Sequence, residues 1–195
     1  MTKAEVLVAI FLVYWRNADG AVTTYQLNGR NTATVTTGSH TCCNRQSTDV
    51  TLSVQATLFD KSNTRTDFKS SRFDTRMTQL DKRPGDEKGH ILASVFGGPA
   101  EIWNLAPQAD NVNKRLLKKN SILVGWYECE KWIQGNLENG AHLPVRAIMR
   151  LTYENNNCRP TYWSIEARNS DPRDPGCKAD NIINGYGGPF ACRKA

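Results

Sequence analysis

The 195-residue sequence has no Cys-x-x-Cys pair and no cysteine–histidine cluster at zinc-finger spacing, which argues against a structural zinc site. It has no apolar run near the roughly 20 residues that a membrane-spanning helix requires. No internal repeat, low-complexity tract or dividing linker is visible, and nothing in the composition suggests disorder, collagen or a coiled coil. There is no Asn-x-Ser/Thr sequon, so N-glycosylation says nothing about the compartment.

What is present fits one globular domain with a sizeable core: 39% of residues are hydrophobic and 23% charged. Lys and Arg number 25 against 19 Asp and Glu, a formal charge of +6. Such a surface attracts polyanions through counterion release and steering, although it also simply favours solubility. The six cysteines (Cys42, Cys43, Cys129, Cys158, Cys177 and Cys192) are even in number and dispersed, as disulfides of an oxidising compartment are. Cys42 and Cys43 are adjacent, and a bridge between neighbours is strained, so two separate partners are expected.

The apolar run Val6–Trp15 has the length of a signal-peptide core, with cleavage expected among Ala18, Asp19, Gly20 and Ala21. Residues 1–20 are therefore expected to be a signal peptide and 21–195 a single domain. A buried strand at the domain's start is the alternative, and Glu5, Tyr14 and Trp15 favour it.

Residues 21–48 read as loops with weak strands. Val50, Leu52, Val54, Ala56 and Leu58 alternate with polar residues, as in a half-buried strand. Residues 60–89 are polar and end in a turn at Pro84-Gly85-Asp86; Ile91–Phe96 is apolar and leads to Gly97-Gly98-Pro99. From Val112 to about Gln134 the period is helical, with Leu116, Leu123, Trp126 and Ile133 on one face and a stop at Gly135-Asn136. Strands are expected at Val145–Tyr153 and Tyr162–Ala167, followed by a Gly/Pro-rich tail pinned by disulfides. The class is mixed α+β.

The segment with chemical content is Glu87-Lys88-Gly89-His90, then Asn104-Leu105-Ala106-Pro107-Gln108, then Asn113. Phosphodiester hydrolysis needs a base for water and a cation for the charge that develops on phosphorus. A histidine titrates near neutrality, and an asparagine carbonyl can hold a hard ion that keeps most of its waters. Each residue has a plainer reading: a structural histidine, a helix cap at Asn111, and a solvated face for Lys114, Arg115, Lys118 and Lys119.

Together these residues resemble the signature of the DNA/RNA non-specific endonuclease family, the ββα-metal or His-Me finger nucleases. That signature runs Asp-Arg-Gly-His, Asn-x-x-Pro-Gln, and an Asn opening a long helix. Asn113 falls nine residues after Asn104, as the pattern asks, and the resemblance spans about 50 residues from Arg83 to Trp132. The Gly-Gly-Pro after the histidine resembles the branch that includes secreted bacterial toxin nucleases.

The resemblance implies a ββα-metal core with an antiparallel sheet and one long helix, stabilised by disulfides. It implies a secreted endonuclease that cuts DNA and RNA without strong sequence preference, and no membrane partner. His90 would be the general base and Asn113 the ligand of Mg²⁺ (Mn²⁺ or Ca²⁺ in its place). Asn104 would orient the histidine or the metal waters, and Gln108 would support the turn. Glu87-Lys88 replaces the usual Asp-Arg, keeping charge but losing the guanidinium fork. Of Arg83, Arg76 and Arg72, Arg83 is chosen as the transition-state arginine for its closeness to the motif. Lys114, Arg115 and Lys118 would track phosphates. The family's glutamate eight residues past the metal asparagine is Ser121 here, and Glu128 lies too far along.

The competing readings are a catalytically silent nucleic-acid-binding module of the same fold, a toxin or effector nuclease with an inhibitor protein as partner, and a non-enzymatic disulfide-rich domain.

Overall fold

The structure is a computed structural model that describes residues 15–17, 20–113, 117–118, 121–122, 125–154, 156–185 and 192. The expected signal peptide therefore lies almost wholly outside the described residues. Strands β1 (Trp15–Asn17), β2 (Gly20–Gln26), β3 (Thr32–Thr41) and β4 (Ser47–Leu58) come first, then helix α1 (Ser71–Gln79). Strands β5 (Glu87–His90) and β6 (Leu105–Gln108) flank two 3₁₀ turns, and the short helix α2 (Asp110–Asn113) follows. After β7 (Leu117–Lys118) and β8 (Ser121–Ile122) come α3 (Trp126–Asn139), β9 (Val145–Thr152), β10 (Tyr162–Arg168) and β11 (Cys177–Ile183).

Seven strands form one antiparallel sheet in the order β1-β2-β3-β4-β9-β10-β11. Its register aligns Val35, Val54, Met149 and Ile165 in one row across four strands, and Ala33, Ala56, Ala147 and Ala167 in the next. All eight are buried, while Gln55, Arg146 and Arg150 at alternate positions are exposed on the other face. Helix α3 closes the core with Trp126, Cys129, Ile133 and Leu137, and its Trp126 ring meets Trp163 edge-on at 5.1 Å. Cys129–Cys177 ties that helix to β11.

The α+β class, the antiparallel sheet and the disulfides are as expected, and Cys42 and Cys43 do reach separate partners, Cys158 and Cys192. Several boundaries differ. Residues 21–48 hold two long strands: their threonines are β-branched, and Ala33 and Val35 supply the buried alternation. The polar stretch 60–89 contains α1, capped by Ser70, whose hydroxyl accepts from Arg72 N, with Phe73 and Met77 buried one turn apart. The apolar stretch Ile91–Phe96 is a loop with a 3₁₀ turn, and the strand of this region ends at His90.

The helix expected over 112–134 is broken. Leu117 pairs with Ile122 and Lys118 with Ser121, and α3 starts only after Gly125. Asn120, Ser121 and Gly125 are weak helix formers, which the apolar period alone does not register. The helix also runs through Gly135 to a left-handed cap at Gly140.

Candidate active site

Strands β5 and β6 pair antiparallel, placing Glu87 opposite Gln108, Gly89 opposite Ala106 and His90 opposite Leu105. Gly89 is required by this pairing, because a Cβ on it would lie 2.5 Å from Gln108 Cβ. The turn after His90 is held by Asn104, which is fully buried. Its Oδ1 accepts from Leu92 N at 2.7 Å, and its Nδ2 donates to Leu92 O and Pro99 O at 2.9 and 3.0 Å. Its backbone oxygen accepts from Ile91 N. Gly97 stands at φ 86°, a left-handed geometry costly for any other residue.

His90 lies on the wall of a cleft of about 350 Å³. Phe68 lies against its ring, with centroids 4.2 Å apart. Phe68 is anchored by Phe73 of α1, at 4.9 Å, and shares a small core with Met77 and Leu105. The Thr66 backbone bonds one ring nitrogen. Nε2 is buried and has no hydrogen-bond partner among the described residues. Burial drives the imidazole down to about pKa 4 despite nearby Asp67, so it is neutral at physiological pH and able to accept a proton.

Glu87, Lys88, His90 and Gln108 of the expected residues line this cleft. Lys88 Nζ donates to Phe68 O at 2.8 Å and pairs with Asp74 at 2.9 Å, bracing the Phe68 loop. Gln108 is buried, and its Nε2 has no protein partner. Asn104 is spent on backbone groups, so it shapes the chain that follows His90. Arg83 is not among the cleft-lining residues; its backbone N–H donates to Asp86 Oδ2 at 2.7 Å. Arg72 reaches Ala100 O, and Arg76 bonds Asp49 O. Asn113 closes α2, but its side chain lies outside the described residues, as do Lys114, Arg115 and the side chain of Lys118.

Four further charged residues line the cleft: Arg65, Asp67, Lys69 and Glu130. Arg65 and Lys69 are exposed and both pair with Asp67, at 3.1 and 3.3 Å. Exposed pairs of this kind are weak, so a phosphate can compete for both cations. The signal in the sequence is Phe68, which with Phe73 breaks an otherwise polar stretch and must find apolar partners. Glu130 sits one turn into α3 and accepts from Trp126 Nε1 at 2.9 Å. Burial pushes its carboxyl up to about 7, partly opposed by that hydrogen bond.

Among the described residues, the one tight group of potential metal ligands is Cys42, Asp81 and Cys158, and its sulfurs are joined in a disulfide. No helix among the described residues is long and apolar enough to cross a membrane.

The protein EssD of the type VII secretion system of Staphylococcus aureus (strain USA300) is 36% identical over 87 residues. That match covers 44% of this chain but only 13% of EssD; the EssD of strain NCTC 8325 / PS 47 matches equally. The crystal structure of NucA from Streptococcus agalactiae with magnesium ion bound superposes with a TM-score of 0.50 at 16% identity, covering 90% of this chain and 85% of NucA. It shares the fold. Residues 30–171 match the DNA/RNA non-specific endonuclease family, as the motif around His90 led one to expect, and the chain belongs to that family.

Proposed function

We propose that the chain is a secreted, divalent-metal-dependent endonuclease that hydrolyses DNA and RNA without strong sequence preference. The observation that carries this reading is His90, a neutral imidazole whose Nε2 has no partner among the described residues and which lines a cleft shared with cations and carboxylates. The neutral imidazole takes the proton of the attacking water. Phe68 packs against the ring and limits its movement.

The donor chemistry fits a hard divalent ion: Glu87 and Glu130 bring carboxyl oxygens to the cleft, and asparagine at position 113 is a residue type whose amide oxygen would suit the same ion. Bound there, the ion would neutralise charge developing on the phosphate and its leaving oxygen. Asn113 is the ligand we assign, and Glu130, a carboxyl in the cleft, would support the ion where the family's glutamate is Ser121 here. Mg²⁺ is the ion we assign, and Mn²⁺ or Ca²⁺ are alternatives.

Arg65 is the transition-state arginine in this reading, in place of Arg83, because it lines the cleft beside His90. Its planar fork can bind two phosphate oxygens. Lys69, with Lys114, Arg115 and Lys118, contacts neighbouring phosphates and reads no base. Asn104 acts through the backbone groups it holds, and Gln108 through its side chain packed against Gly89. Secretion is supported by three disulfides and by the relationship to a protein of a secretion system. That relationship also favours an effector role with the same chemistry.

The test is digestion of plasmid and of RNA in Mg²⁺, with and without chelator, by wild type and Asn113→Ala. Chelator and the substitution should each abolish cleavage while the circular dichroism spectrum stays native. Cleavage that survives both would remove the metal from the account.

A further inference from the structure

Arg159 carries a buried guanidinium far in sequence from the motif, and it joins the two chain segments that build the cleft. Its Nε and Nη2 donate to Asp86 Oδ2 and Oδ1 at 2.8 and 2.6 Å, a bidentate pair whose side chains are 4% and 3% exposed. Asp86 is the residue immediately before β5, and it also accepts from Arg83 N, closing the 83–86 turn. The third arm, Nη1, donates to Asn184 O at 2.6 Å. The Asn184 side chain in turn grips the far end of the hairpin. Its Oδ1 accepts from Ala109 N at 2.8 Å, and its Nδ2 donates to Pro107 O at 2.9 Å and Pro160 O at 2.8 Å. Pro107 and Ala109 flank Gln108, and Ala109 leads directly into α2, which ends at Asn113.

We propose that Arg159 is a positioning residue for the cleft, setting the strand that ends at His90 against the segment that leads to Asn113. One planar group holds both legs, Asp86 on one side and Asn184 on the other, so their spacing depends on its fork geometry. Arg159 itself is fixed by its backbone N–H to Asn157 Oδ1 at 2.9 Å and by its neighbour Cys158, bridged to Cys42. Buried ion pairs are often dispensable for stability and serve to specify one geometry. A shift near 1 Å between base and metal ligand costs on the order of 10²-fold in rate.

The inference rests on the nuclease reading above, and the experiment separates the two. Full-length Arg159→Lys keeps the charge but loses the fork, and the pair Asp86→Asn with Arg159→Gln removes both charges without leaving one unpaired. Each is compared with wild type and His90→Ala in steady-state plasmid cleavage with Mg²⁺, in thermal melting, and by NMR of the His90 imidazole. The expected result for folded variants is a kcat lower by about 10–10²-fold with KM nearly unchanged, and displaced His90 imidazole signals. A kcat within about threefold of wild type with unmoved His90 signals overturns the proposal, as does a loss that tracks only the unfolded fraction. Failure of both variants to fold would make the hub scaffold alone and also overturn it. If wild type itself does not cleave, the nuclease reading fails, and the His90 signals alone decide whether Arg159 positions the ring.

Discussion

Gly89 and the Gln108 side chain are in direct apposition across β5 and β6, with room for a hydrogen and none for a methyl group. The glycine beside the histidine is thus a steric requirement of the two-stranded unit. Gly89→Ala should push Gln108 aside or slide the strand that ends in His90. Overpacking of this kind costs about 1–3 kcal/mol, and the rate should fall far more than stability does. Melting and cleavage assays on the purified variant check this; wild-type rates would mean the apposition has no bearing on the site.

His90 should titrate well below an ordinary histidine in the metal-free protein, near 4 rather than 6.5, because burial disfavours the imidazolium. The unfolded chain takes up this proton first as pH falls. The folded state therefore loses stability between about 6.5 and 4, and His90→Ala should flatten that part of the acid limb. NMR titration of the ring gives the pKa directly; a midpoint at or above 6.5 would refute the buried environment.

Glu130 has the opposite sign. Its carboxyl, raised by burial from 4.5 to about 7, stays protonated in the fold at pH values where the unfolded chain has released the proton. Stability of the metal-free protein should therefore decline as pH rises from about 4.5 to 7, and Glu130→Gln should remove that decline. Melting temperatures across this range test it; identical slopes for the two proteins would count against it.

That Glu87, Lys88, His90 and Gln108 share one cleft was legible because the motif is local and its two segments pair as neighbouring strands. Strands β4, β9 and β10 were legible because each alternates with period two. Arg65 and Glu130 were not. Arg65 reaches the cleft because α1 packs on β6 and carries the Phe68 loop to His90, a contact between residues 22 apart in sequence that no local period encodes. Glu130 was hidden because an offset from Asn113 presumes one unbroken helix, whereas β7 and β8 interrupt it. Threonine in β2 and β3 misled for another reason: it is polar by composition but β-forming by its branched Cβ.

Arg65 and Arg83 offer a direct comparison. Arg65→Ala should lower kcat by roughly 10²-fold or more, as loss of a cation aimed at developing charge does, while Arg83→Ala should stay within about tenfold of wild type. Steady-state kinetics on a defined duplex distinguish them. The reverse ranking would return the transition-state role to Arg83.

The central claim is that the His90 imidazole activates the attacking water. The most direct measurement is the single-turnover rate of plasmid cleavage at saturating Mg²⁺ for wild type and folded His90→Ala. The account predicts a loss of about 10²–10⁴-fold, the usual worth of a general base. A folded variant that cleaves at the wild-type rate would contradict it.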